Sequence, residues 1–163
     1  MIHLILGNTG AGKTTYAQTL KQKHQGVIFS IDHWNKTLFL PDKTPSDGVD
    51  WFLERIARSD AMIQSLVVQL EGAGVCSILD LGFAKKARRM AFYAFAKANN
   101  YDYKVHYLDI PKAQRRQRVI QRNREKGPSF QFEVSPEDFE FMETWFEAPQ
   151  AKELQNAVHI TSL

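Results

Sequence analysis

The chain contains a single cysteine, Cys76, so no disulfide can form within it. Cys76 lies in the apolar run Val75-Cys76-Ser77-Ile78-Leu79 and reads as a small buried strand residue. Long apolar runs are also missing. No segment approaches the roughly 20 residues that cross a bilayer, which argues against a membrane partner. Residues 1–6 are apolar but run directly into glycines. They have no basic leader and no small-residue cleavage site, so they do not read as a secretion signal, and a cytoplasmic location is expected. An excess of one charge is lacking too. The formal charge of +3 suits an anionic small ligand but does not supply the concentrated basic face that duplex binding uses. A nucleic-acid partner is therefore compatible but not favoured. There is no internal repeat, low-complexity tract or linker, so residues 1–163 are expected to form one domain, as a monomer or weak homodimer. The five histidines show no metal-ligand spacing, and His33 reads as a loop residue.

What is present alternates short apolar runs with longer helical periods, the pattern of stacked β–α units. Strands are predicted at 2–6, 27–31, 75–79, 103–108 and 158–160. Helices are predicted at 13–24, 49–70, 84–98 and 111–124, and from a Ser135 cap to about 146. In the second of these, Trp51, Ile56, Ile63, Leu66, Val67 and Leu70 share one face. Ser135-Pro136-Glu137-Asp138 combines a cap, a first-turn proline and acids at the positive helix end. Residues 41–48 read as a loop, and 125–135 break pattern with Gly127-Pro128 near their start. The fold class is α/β: a three-layer α/β/α sandwich around a mostly parallel sheet of about five strands.

One motif carries chemistry directly. Gly7-Asn8-Thr9-Gly10-Ala11-Gly12-Lys13-Thr14, followed by Thr15, fits G-x-x-x-x-G-K-[ST], with a predicted strand before it and a helix after. The glycines allow close backbone approach, so that N–H groups and the positive helix end can face phosphate oxygens. Lys13 would reach the β- and γ-phosphates, and the Thr14 hydroxyl would ligate Mg²⁺. A GTPase would add an Asp-x-x-Gly switch and an Asn-Lys-x-Asp base reader. Asp80-Leu81-Gly82 and Asn35-Lys36-Thr37-Leu38 match neither. A ring-forming ATPase would carry a second acid where Leu81 follows Asp80. What remains is a small kinase.

The ordered set of residues 7–14, Ser30-Ile31-Asp32, Leu79-Asp80-Leu81-Gly82-Phe83 with Arg88-Arg89, and Arg122-Asn123-Arg124-Glu125-Lys126-Gly127 resembles a known group over nearly the whole chain. That group is the phosphate-loop kinase superfamily of bacteriophage polynucleotide 5′-kinase, zeta toxins, chloramphenicol phosphotransferase and gluconate kinase. The chain is especially similar to small bacterial members described as AAA-family ATPases or predicted kinases. The tail, from Val134-Ser135-Pro136 to Phe146-Glu147-Ala148-Pro149, also looks like theirs. The resemblance implies ATP and Mg²⁺ as cofactors and transfer of the γ-phosphoryl group to an unidentified hydroxyl-bearing acceptor.

Asp32 follows the second predicted strand, at the ligand edge of a doubly wound sheet. In the resembling kinases an Asp here takes the proton of the attacking hydroxyl; capping the segment 33–40 is the other reading. Asp80 ends the third strand and would hold Mg²⁺ or the acceptor, or else cap the next helix. Helical spacing puts Arg115, Arg118 and Arg122 on one face. The resemblance makes 115–135 a lid, with Arg122 and Arg118 the residues expected to touch phosphate. Arg116 and Arg124 crowd the same helix, and Lys126 shares a side with Arg122. Arg88 and Arg89 read equally as acceptor contacts or as structural residues. Polynucleotide kinases carry an Arg three residues after the catalytic Asp, where this chain has Asn35, with Lys36 next to it; this weakens a polynucleotide acceptor. Trp34, Phe39, Trp51, Phe52, Phe139, Phe141, Trp145 and Phe146 read mainly as packing residues. The alternatives to a small-molecule kinase are an ATP-binding regulatory module, a nucleic-acid 5′-hydroxyl kinase and a zeta-toxin-like enzyme.

Overall fold

The computed structural model describes residues 1–127 and 130–162. Pro128 and Ser129, inside the predicted lid, and Leu163 lie outside the described residues.

β1 (Ile2–Leu6) is buried along its whole length, as a strand covered on both faces must be. Its alternation sends Ile2, Leu4 and Leu6 to one core and His3 and Ile5 toward the other face. Beside it run β3 (Ser77–Asp80) and β4 (Tyr103–Leu108), with β2 (Val27–Ser30) and β5 (Val158–Ile160) outermost. The order is β2-β3-β1-β4-β5, and every pairing is parallel. Parallel strands need crossovers, and helices supply them.

On one face, Ile63 and Val67 of α3 (Val49–Gly72) and Phe92 and Ala96 of α4 (Lys86–Ala98) pack on Leu4, Leu79 and Val105. On the other, Ala17 and Leu20 of α1 (Lys13–His24) pack on Ile5, Ile78 and Leu108. A smaller cluster joins Val119 of α5 (Lys112–Glu125), Val134, and Phe139 of α6 (Pro136–Trp145). This is the three-layer α/β arrangement expected from the sequence. β3 and β2 lie on one side of β1 and β4 and β5 on the other, which places the switch point at its C-terminal end. Among the described residues no helix is long and apolar enough to cross a membrane.

Several boundaries differ from the sequence reading, for local reasons. β2 stops at Ser30 because the Ser30 hydroxyl accepts a hydrogen bond from the His33 backbone N–H, 3.4 Å away, and starts α2 (Ile31–Trp34). Ser30 is therefore the cap, Asp32 sits in the first helical turn, and His33 is helical rather than in a loop. The helix continues as a wider π turn over Asn35–Phe39 and a 3₁₀ turn over Leu40–Asp42. β3 begins at Ser77 and takes in Asp80. Cys76, whose carbonyl accepts from Val27 N–H at 2.9 Å, lies just before β3 and is half-buried rather than buried. A last short helix, α7 (Ala151–Leu154), follows where the sequence pattern signals none. It is set by a reciprocal Gln150–Glu153 cap and is too short to show a period.

Candidate active site

The loop between β1 and α1 has no regular structure of its own, so its shape comes from its neighbours. Gly10 adopts φ +80°, and a Cβ there would stand 2.5 Å from the Arg115 carbonyl oxygen. Only glycine lets the first turn of α5 press against the loop. α1 then starts at Lys13, directing its unpaired first amides back toward the loop.

The ends of β2 and β3 bring two carboxylates to this loop. Asp80, the last residue of β3, is 6% exposed and accepts a 2.8 Å hydrogen bond from the Thr14 hydroxyl. It does not cap the next helix, which begins only at Lys86. Burial pushes the Asp80 carboxyl above the usual range, while Lys13 and the Thr14 hydrogen bond pull it down. The Lys13 ammonium donates to the Asn8 carbonyl oxygen at 3.3 Å. Burial lowers its pKa, and Asp80 and then Asp32 oppose that shift. Asp32 is exposed as a residue, yet protein packs closely around its carboxylate. The crowding raises its pKa against the pull of Lys13, Arg122 and Arg88. Three cations from three elements thus converge electrostatically on one acid.

Helix α5 distributes its arginines among different tasks. Arg122 faces the Asp32 charge, and its buried Nε has no hydrogen-bond partner among the described residues. Arg118 donates to the Ala11 carbonyl at 3.3 Å, so it too reaches the loop. Arg115 is a strut. It forms a bidentate pair with Glu143 of α6 at 2.6 and 2.8 Å. It also donates to the Thr9 and Ile110 carbonyls at 3.2 and 2.8 Å. Asn8 of the loop donates to the same Glu143 carboxylate at 2.6 Å, and its own carbonyl oxygen Oδ1 accepts from Thr9 N–H at 2.7 Å. Loop, α5 and α6 are therefore joined through one carboxylate. Arg116 faces Glu140 at the surface, and Arg124 is exposed. Asn123 pairs with both backbone groups of Val134, folding the chain after α5 back onto that helix.

The two arginines after β3 also differ. Arg88 forms a bidentate pair with Asp60 of α3 at 2.7 and 2.6 Å and donates to the Leu81 carbonyl. Arg89 is fully buried. It holds Glu153 and the carbonyls of Phe83, Ala84 and Glu147. It is a structural residue and not an acceptor contact. Among the aromatics, Phe139 is core, and Trp34 and Phe146 pack against the main core. Phe141 stacks on Trp145, and Trp51 meets Phe52 edge-on.

The structure thus brings together Lys13, Thr14, Asp80, Asp32, Arg122 and Arg118 around residues 7–12, with Thr15 exposed on α1. It directs Arg89, Arg116 and Arg124 elsewhere, and commits Arg115 to bracing the loop through the Thr9 carbonyl and Glu143. Glu143 and the side chain of Asn8 were not legible from the sequence as partners. No motif surrounds Glu143, and only the packing of α6 on α5 gives it a role.

A parallel sheet in the order 2-3-1-4-5 with a phosphate loop at its switch point defines a small phosphate-loop protein of kinase-like fold, built to bind a nucleotide. The chain belongs to the AAA domain family, which it matches over residues 2–149. No curated protein matches the sequence. Among solved structures, Kti12 from Chaetomium thermophilum, in complex with ADP-AlF3, is similar with a TM-score of 0.70 at 17% identity, covering 99% of this chain and 89% of that one. A gluconokinase from Sinorhizobium meliloti gives 0.62 at 12% identity, covering 98% and 81%. A sugar kinase from Janibacter gives 0.57 at 17%, covering 98% and 84%. At these identities the likeness is one of fold.

Proposed function

We propose that this protein is a Mg²⁺-dependent kinase that transfers the γ-phosphoryl group of ATP to a hydroxyl of a small molecule or nucleotide. The observation that carries the reading is the placement of Asp32 within the electrostatic reach of both Lys13 and Arg122 at the mouth of the phosphate loop. The Thr14 hydroxyl and Asp80 carboxylate, 2.8 Å apart, are hard oxygen donors of the kind magnesium accepts. When bound there, the ion would neutralise phosphate charge.

The chain's own groups supply the rest. The loop amides and Lys13 would hold the β- and γ-phosphates. Arg122, with an Nε otherwise unmatched, would donate to the transferring group, and Arg118 would support it from the Ala11 side. Asp32 would accept the acceptor hydroxyl's proton as the new O–P bond forms and the bond to the β-phosphate oxygen breaks, releasing ADP. Crowding shifts its carboxyl upward, which strengthens it as a base relative to an ordinary aspartate. The segment 115–135 would close over the triphosphate. On the acceptor side Arg88 is already committed to Asp60, which weighs against its holding the phosphates of a polynucleotide end.

The test is a screen of metabolites and oligonucleotides with γ-labelled ATP. A product made by the wild type, absent with Lys13→Ala and reduced about 10²–10⁴-fold with Asp32→Asn, is expected. Nucleotide binding without any Lys13-dependent product would instead make the chain an ATP-binding regulatory module. Full activity in Asp32→Asn would remove the base assignment.

A further inference from the structure

We propose that His3, His24 and Cys76 form a binding site for a zinc-type transition-metal ion at the end of the sheet opposite the phosphate loop. The three residues come from different elements. His3 lies near the start of β1, His24 is the last residue of α1, and Cys76 immediately precedes β3. One ligand atom from each lies within 4.8 Å of the other two. The rings of His3 and His24 have centroids 4.5 Å apart. Zinc bonds of about 2.0–2.3 Å in tetrahedral geometry place ligand atoms roughly 3.3–3.7 Å apart. Small side-chain rotations, on the order of 1 Å, close the difference.

Two further observations point to a ligand. His3 is only 4% exposed, and its Nε2 has no hydrogen-bond partner among the described residues. A buried polar atom left unmatched is costly and calls for an explanation. Its other nitrogen, Nδ1, lies 3.0 Å from His106 Nε2, and His106 Nδ1 lies 2.9 Å from the Tyr16 hydroxyl. That chain can run in a direction that frees Nε2. His3 Nδ1–H donates to His106 Nε2, and His106 Nδ1–H donates to the Tyr16 oxygen. The His3 Nε2 lone pair then faces outward from the relay. Such outer hydrogen bonds orient ligating histidines in known metal sites.

The backbone brings the ligands together. Gly26 follows α1, and a Cβ there would stand 2.8 Å from the Cys76 carbonyl oxygen. Glycine therefore lets the turn after His24 lie directly on the Cys76 segment. His24 lies beside the buried His3 ring. Lys23 and the N-terminal ammonium also sit close by, and Glu71 pairs with the latter at 2.6 Å. A thiolate with two imidazoles in such surroundings selects a thiophilic ion over Mg²⁺ or Ca²⁺. Three protein ligands leave one tetrahedral position open. A bound ion would tie the far end of α1, the helix that begins at the phosphate loop, to the sheet.

The test uses the full chain, reduced and stripped with a chelator, with excess Mg-ADP present to occupy the phosphate loop. Co²⁺ is titrated first, then Zn²⁺. One equivalent of Co²⁺ should give a tetrahedral visible spectrum with a thiolate charge-transfer band, and Zn²⁺ should abolish it. Cys76→Ser should remove the charge-transfer band, and His24→Gln should weaken Zn²⁺ at least about tenfold, with ADP affinity unchanged in both. Should Cys76→Ser fail to fold, His24→Gln at the helix end decides. Absence of the spectrum, or identical Zn²⁺ affinity in wild type and His24→Gln, overturns the proposal.

Discussion

Replacing Arg89 with alanine should loosen the whole C-terminal segment and leave the chemistry of the phosphate loop intact. Arg89 is fully buried, and its guanidinium meets Glu153, itself 4% exposed, at 2.6 and 3.1 Å. It also serves the carbonyls of Phe83 and Glu147 at 3.1 and 2.8 Å. Removing one member of a buried pair strands the other charge and costs about 3–5 kcal/mol. For a chain of this size that lowers the melting temperature by about 6–20 °C. The double variant Arg89→Met/Glu153→Leu should recover much of the loss, since an apolar pair of similar volume is often neutral. It should not recover all, because the carbonyls lose their donor, at roughly 1 kcal/mol each. Burial works to raise the Glu153 carboxyl, but the Arg89 hydrogen bonds and the Gln150 amide outweigh it and hold its pKa below the ordinary value. A depressed folded-state pKa means that the stabilisation is present above the unfolded value of about 4.5 and is lost as pH falls through the lower folded value. The double variant should therefore lose less stability than the wild type on acidification. Urea unfolding of the three proteins between neutral and acidic pH measures both effects. An Arg89→Ala variant within about 1 kcal/mol of wild type, or one that loses phosphotransfer while keeping stability, would refute the structural assignment.

Glu143→Ala should strand the nearly buried Arg115 and release Asn8, costing about 3 kcal/mol of stability. Coupling to the loop of about 0.5–2 kcal/mol should raise the dissociation constant for ADP roughly 2- to 30-fold, readable by calorimetry. Ser135→Ala removes a reciprocal cap in which the Ser135 hydroxyl accepts from Asp138 N–H at 3.0 Å. It should cost about 1 kcal/mol in urea unfolding, with ADP affinity unchanged.

Much of the fold was legible along the chain because its signals are local. The alternation of short apolar runs with helical periods, the glycine loop and the Ser135 cap each depend on neighbours a few residues away, and β1, α1, β4 and β5 fall where the sequence places them. The phosphate loop was readable for the same reason, since its glycines and Lys13 form one continuous stretch. Asp32 and Asp80 were legible as residues at strand ends, where a parallel sheet gathers its ligands. Their local surroundings were not: Ser30, two residues back, takes the capping role, and Thr14 claims Asp80.

The arginines show where sequence reading stops. Helical spacing places Arg115, Arg118 and Arg122 on one face, but it cannot say what stands opposite each. Packing α6 against α5 sets Glu143 before Arg115, while Arg122, further along, looks toward Asp32. Arg88 and Arg89 are adjacent in the chain, yet one turns to α3 and the other to α7. His3, His24 and Cys76 have no spacing to notice. They meet because the return from α1 through Gly26 lies on the segment before β3. The sequence by itself determined the nucleotide loop and the β–α frame that carries it, since both follow from short-range pattern. Tertiary structure alone decided which charges face the loop and which hold the fold together, because a side chain's task is set by what distant segments pack against it.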